Sequence, residues 1–176
     1  MNPYTLFDIT RVNQLTVIKN GVFCPDFQLT DGANIYGKLY FKGWFKKTGY
    51  IDTANGNWIV KKKGTFCNDV LLIDTMGNLV ATTKTNVWKG NVTLNFPDSS
   101  FLKFKCNSWF SKIRSWYSEA YGNLLNIDMK IFSNKTPFII SFDPAIAKIT
   151  LNPLLLAFMG INVILIRRAK AAAAIS

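Results

Sequence analysis

The residues most able to do chemistry in this chain are its lysines, because several of them alternate with aromatic rings. Tyr36, Lys38, Tyr40, Lys42, Trp44 and Lys46 follow one another at every second position. A strand places such residues on one face. Lys47 and the run Lys61, Lys62 and Lys63 lie on either side of an Asn55-Gly56 dipeptide, a hairpin signal that folds the two segments together. Lysines interleaved with rings suit two kinds of anionic partner: an anionic phospholipid surface, with Trp44 as an interfacial anchor, or a single-stranded nucleic acid whose bases stack on the rings. The plainer reading of the pattern is a solvated strand face, with lysine stems lying over aromatic rings.

The rest of the sequence narrows the chemistry further. Net charge is +11 and there is no histidine. Histidine-based triads, dyads, metal sites and pH switches are therefore excluded. Glu119 is the single glutamate. Asp69 and Asp74 form a conceivable carboxylate pair, but aspartates beside a hairpin usually serve the turn. Cys24, Cys67 and Cys106 are far apart and form no CxxC pair, which predicts free thiols without a disulfide framework or metal site. No glycine-rich phosphate loop opens a helix, so no nucleotide cofactor is expected. The expectation is a non-enzymatic binding module without cofactor or metal. A structural or protein-interaction barrel remains the third possibility; there the lysines reflect only a lysine-rich composition.

The elements that must position these residues are legible from turn signals. Asn20-Gly21, Asp31-Gly32, Asn55-Gly56, Gly77-Asn78, Gly90-Asn91, Pro97-Asp98, Gly122-Asn123, Ser133-Asn134 and Asp143-Pro144 punctuate the chain. The short runs between them are rich in Val, Ile, Thr and aromatic residues, as in an antiparallel sandwich or barrel. Ile35 to Phe45 reads as a strand with Ile35, Leu39, Phe41 and Phe45 inward, and with Gly37 and Gly43 marking bends or close packing. Further strands are expected at 69–74, 79–85, 91–96, 101–106, 124–132, 138–142 and 146–151. Residues 108–120 fit either helix or strand.

The C-terminal segment differs in kind. Asn152 can cap a helix, and Pro153 suits its first turn. Leu154 to Ile166 is apolar on nearly every face apart from Asn162, and Arg167, Arg168 and Lys170 follow. A helix apolar all round is buried in protein or in lipid. The run is shorter than the roughly 20 residues of a membrane span, which favours a core helix over about 153–171 and leaves a membrane anchor as the alternative. Leu154, Leu155, Phe158, Ile161, Leu165 and Ile166 are its expected buried residues. No secretory signal opens the sequence, so the expected location is cytoplasmic, peripheral to the membrane if the lysines bind lipid.

Two stretches carry a family resemblance. GTFCNDVLLIDTMGNLVATTKTNVW, from Gly64 to Trp88, resembles the strand, Asp-x-x-Gly turn and strand of the tubby C-terminal-like superfamily. ITLNPLLLAFMGINVILIRR, from Ile149 to Arg168, resembles its terminal core helix. That superfamily includes tubby-like, LURP-one-related and phospholipid scramblase-like proteins. The resemblance implies one domain over 1–176: a closed antiparallel barrel of about twelve strands, with no free edges, enclosing the C-terminal helix. It also implies lipid handling. The cysteine cluster of scramblases is absent, and Asp69 and Asp74 lack calcium-loop spacing.

Overall fold

Period-2 alternation of apolar side chains is what closes this chain on itself. In the computed structural model, residues 3–43, 48–64, 69–86, 91–106, 111–130 and 133–174 are described. They form twelve strands: β1 (Gln14–Asn20), β2 (Asp26–Thr30), β3 (Ile35–Lys42), β4 (Thr48–Thr53), β5 (Gly56–Lys62), β6 (Val70–Asp74), β7 (Leu79–Asn86), β8 (Asn91–Asn95), β9 (Phe101–Cys106), β10 (Ile113–Ser118), β11 (Gly122–Met129) and β12 (Phe138–Phe142). Each strand pairs antiparallel with its neighbours in sequence. β12 pairs with β1, with Val17 opposite Phe138 and Leu15 opposite Ile140, so the sheet is a closed barrel. Closure leaves no strand edge for another chain to extend.

One face of each strand is buried. Leu15 and Val17, Phe27 and Leu29, Val70 and Leu72, Val92 and Leu94, Leu102 and Phe104, and Phe138 and Ile140 all point inward. The space they surround is filled by α1 (Pro153–Ala173). Asn152 caps it, accepting the backbone N–H of Leu154 at 2.8 Å. Every residue from Leu154 to Ile164 is buried. At 1.5 Å per residue its 21 residues span about 31 Å, enough to enter one mouth of the barrel and leave by the other.

Two glycines let the helix and wall approach closely. A Cβ on Gly37 of β3 would lie 2.8 Å from the Asp52 carbonyl oxygen and 3.0 Å from Phe158 Cε2. A Cβ on Gly160 of α1 would lie 2.5 Å from Ile127 Cδ1 and 2.9 Å from Trp116 Nε1. The close packing expected at Gly37 is therefore packing against both the neighbouring strand β4 and the core helix.

Several expectations need correction. Leu165 and Ile166 are only partly buried, because the helix is leaving the barrel there. Residues 146–151 are not a strand: Asp143 accepts the N–H of Ala145 at 2.9 Å and starts a one-turn 3-10 helix at Pro144–Lys148. Residues 111–120 hold no helix; Ile113–Ser118 is β10, and Trp116 is fully buried inside the wall. β3 ends at Lys42 among the described residues, and its register against β2 shifts so that Leu29 faces Gly37 while Thr30 faces Ile35. The extra residue, Tyr36, is buried and Ile35 is exposed. Tyr36 packs edge-on against Phe7 and donates a 2.6 Å hydrogen bond to Asp31. The outward ring expected at Tyr36 is thus turned into the wall.

A charged surface at one mouth of the barrel

In an antiparallel barrel, the ends of odd-numbered strands and the starts of even-numbered ones share a mouth. That rule sorts the charges. Lys19 ends β1, Lys42 ends β3, and Lys61 and Lys62 end β5, with Lys63 just beyond. Lys84 and Lys105 lie near the ends of β7 and β9. Lys112 just precedes β10 and Arg114 lies at its start, and Lys130 and Lys135 lie between β11 and β12. The C-terminal end of α1 emerges at the same mouth with Arg167, Arg168 and Lys170. The Arg168 guanidinium lies 5.2 Å from the centre of the Phe138 ring at the start of β12. Cations at this end also complement the helix dipole.

Only three of the chain's acidic residues share this basic mouth: Asp26, Asp69 and Asp128. Asp26 pairs with Lys38 at 2.9 Å and Asp128 with Lys130 at 2.8 Å. Asp69 accepts the backbone N–H of Thr85 at 3.0 Å. Burial lowers the proton affinity of Arg114, and burial followed by the charge of Arg114 lowers that of Arg167.

The remaining carboxylates, those of Asp8, Asp31, Asp52, Asp74, Asp98, Glu119 and Asp143, lie toward the other mouth. Most serve turns. Asp74 accepts the N–H groups of Met76 and Asn78 at 2.9 and 2.8 Å. Asp31 accepts the N–H groups of Ala33 and Asn34. Hydrogen bonding from Tyr36 holds Asp31 well below the usual carboxylate range; bonds from Thr10, Asn78 and Ser100 lower Asp8, Asp74 and Asp98 respectively. These groups stay charged in mildly acidic solution. Arg11, bridged to Asp8, and Lys148 are cations on this side, and Lys103 lower in the wall pairs with Glu119.

The lysines singled out in the sequence separate into three groups. Lys61, Lys62 and Lys63 are exposed at the basic mouth. Lys42 joins them across β4: it faces Thr48, while Gly49 faces Val60, the residue before Lys61. Lys38 lies further down the wall, held by Asp26. Lys46, Lys47 and Trp44 lie outside the described residues. Of the aromatic face, Tyr40 stacks on Tyr50 with ring centres 5.3 Å apart, and Lys42 Nζ lies 5.4 and 5.0 Å from those two rings. Tyr36 contributes nothing to it. Asp69 and Asp74 occupy opposite ends of β6 and form no pair.

Sequence reasoning missed the loop Gly21–Pro25. It joins β1 to β2 at the basic mouth, beside Lys19, and exposes Val22 at 82% and Phe23 at 94%. An apolar pair this exposed, directly after a hairpin glycine, was the available signal. It also missed Arg114 and Lys130, and it read Arg167 only as the end of the helix; the nearness of all three to the lysine run depends on ring closure. Cys24 is exposed in this loop and Cys106 is partly buried; Cys67 lies outside the described residues.

Among the described residues, no group of three His, Cys, Asp or Glu side chains could hold a metal ion, and no helix is long and apolar enough to cross a membrane. A second surface feature is a cleft of about 500 Å³ at the acidic mouth. Phe7, Trp58, Val80, Ile146, Leu151 and Leu155 line it. No protein-family model, no curated protein and no solved structure matches the chain.

Proposed function

We propose that the barrel is a non-enzymatic module that attaches to anionic phospholipid surfaces through its basic mouth. The observation that carries this reading is the segregation of charge: cations gather where α1 emerges, and most carboxylates lie at the far end. Lysines that reflected composition alone would have no reason to divide in this way. Val22 and Phe23 supply an apolar tip at the same mouth, suited to the interface between headgroups and acyl chains. Among the described residues, a pocket at this mouth lined by Val70, Val92, Val163 and Ile166 is only about 40 Å³. That is too small to extract a lipid tail, which favours contact with a membrane surface. The resemblance to a superfamily with lipid-handling members points the same way.

Each lysine near an anionic surface contributes about 1 kcal/mol. Replacing Lys61, Lys62 and Lys63 together by Ala is therefore expected to weaken binding to phosphatidylserine-containing vesicles by roughly 100-fold. Binding should fade as salt shortens the screening length to about 3 Å at 1 M. Phe23→Ala should cost a further 1 to 2 kcal/mol or so, since burying that ring fully is worth about 1.5–3 kcal/mol. Sedimentation with phosphatidylcholine vesicles, with and without phosphatidylserine, measures all three effects. Equal indifference to both vesicle types at low salt would sink the proposal. Displacement of vesicles by a single-stranded oligonucleotide, abolished by Tyr40→Ala, would transfer the function to nucleic acid, because the Tyr40–Tyr50 stack beneath Lys42 is an aromatic platform for bases.

A further inference from the structure

The two mouths of the barrel complement each other. One is basic and carries the projecting apolar tip Val22–Phe23. The other is acidic and holds a cleft lined mainly by apolar side chains, with Asn55, Thr150 and Asn152 among them. We propose that the chain docks head to tail onto a second copy of itself, the Phe23 tip of one basic mouth seated in the acidic-mouth cleft of the next. This goes beyond membrane attachment and does not depend on it.

Three features of the acidic mouth select this occupant. The cleft is walled by rings and aliphatic side chains, including Phe7, Trp58 and Leu155, as an aromatic anchor requires. Exposed apolar side chains adjoin the lining in sequence: Leu6, 68% exposed, precedes Phe7; Leu79, 49% exposed, precedes Val80; and Met76, 83% exposed, lies in the β6–β7 turn at the same mouth. Such exposed apolar surface marks an interaction site. Carboxylates flank it, with Asp8 next to Phe7 and Asp74 directly across from Trp58 in the β5–β6 register. The fitting partner is therefore an apolar knob surrounded by cations. The Gly21–Pro25 loop is such a knob, with Lys19 before it and Lys135 bonded alongside through the Lys19 N–H at 2.7 Å.

The contact joins two different patches, so it is heterologous and leaves a free cleft and a free tip on every pair. Copies would stack along the barrel axis. A copy lying on a membrane by its basic mouth would present its acidic mouth outward to the next. Steering between opposite charges makes the association salt-sensitive.

Sedimentation velocity at rising protein concentration, without lipid, tests the proposal. The wild-type chain is expected to grow in size with concentration at low salt and to return to monomer at 1 M salt, where the screening length falls to about 3 Å. Phe23→Asp removes the knob, and Met76→Lys with Leu79→Lys places cations at the acidic mouth beside the socket. All three positions are exposed, so folding is preserved. Each variant alone should remain monomeric, while their equimolar mixture should form a one-to-one dimer that grows no further, since it joins one intact knob to one intact socket. A wild-type chain that stays monomeric, a mixture that forms no dimer, or association retained by either variant alone would overturn the proposal. Loss in the Phe23 variant with retention in the Met76/Leu79 variant would instead indicate a symmetric contact between basic mouths. The Met76/Leu79 variant keeps its basic mouth, so its binding to phosphatidylserine vesicles reports separately on membrane attachment.

Discussion

A chain ending at Thr150 is expected to have no cooperative unfolding transition. Such a chain keeps all twelve strands but loses α1, and with it the side chains from Leu154 to Ile164 that fill the barrel. The inward residues of the strands would then face one another across a gap as wide as a helix, about 10 Å. Protein interiors do not tolerate voids of that size. Thermal unfolding followed by near-ultraviolet circular dichroism measures the effect: the full chain should show one sharp transition and the shortened one none. A truncated chain that stays soluble and melts cooperatively would mean the wall can collapse on itself. Single substitutions give the graded version. Leu154→Ala should cost about 2–5 kcal/mol and Phe158→Ala about 3–5 kcal/mol, since both side chains are fully buried.

Gly160→Ala should also destabilise, although alanine is the better helix former by about 1 kcal/mol. Its new Cβ meets Trp116 and Ile127 at distances where something must move. Ile127 Cδ1 is the end of a flexible side chain and can yield. The Trp116 indole is fully buried against Phe104, with ring centres 4.9 Å apart, and has little room. Overpacking of this kind costs typically about 1–3 kcal/mol, enough to offset the propensity gain. Gly37→Ala should behave similarly, because its Cβ would press on the Asp52 carbonyl. Ala172→Gly, on the exposed end of the same helix, is the control: it loses only propensity, about 1 kcal/mol or less. Urea denaturation of the four proteins gives the order. Gly160→Ala matching or exceeding wild-type stability would show that the helix is free to shift in its sleeve.

Much of the architecture was legible because its signals are local. Glycines in left-handed turns, such as Gly21, Gly32, Gly77 and Gly122, need no tertiary partner to mark a chain reversal. Alternation of Val, Leu and Phe needs only the two-residue strand period. The C-terminal helix announced itself by its cap, its proline and its unbroken apolar surface. The errors occurred where a non-local partner decided. Trp116 has the spacing of a helix residue, but pairing with β9 and β11 on either side holds it in a strand. Tyr36 alternates outward on paper, and one extra residue opposite β2 turns it inward to reach Asp31 and Phe7. Ile149 and Leu151 alternate like a strand, but the sheet is already closed by β12 on β1 and offers them no edge.

The charge distribution follows the same division. The sequence by itself determined that the chain is basic, that it lacks histidine chemistry, and that it folds as short antiparallel strands ending in an apolar helix. Composition, turn chemistry and hydrophobic period are properties of neighbouring residues, and they act before any long-range contact forms. Only the tertiary structure decided that Lys61, Arg114, Lys130 and Arg167 share one mouth, that Val22 and Phe23 stand among them, and that a cleft opens at the acidic end. Those relations depend on ring closure and on the direction in which α1 threads the barrel. A closed antiparallel barrel sends alternate turns to opposite mouths, so it can turn a charge that looks evenly spread along the chain into a dipolar surface.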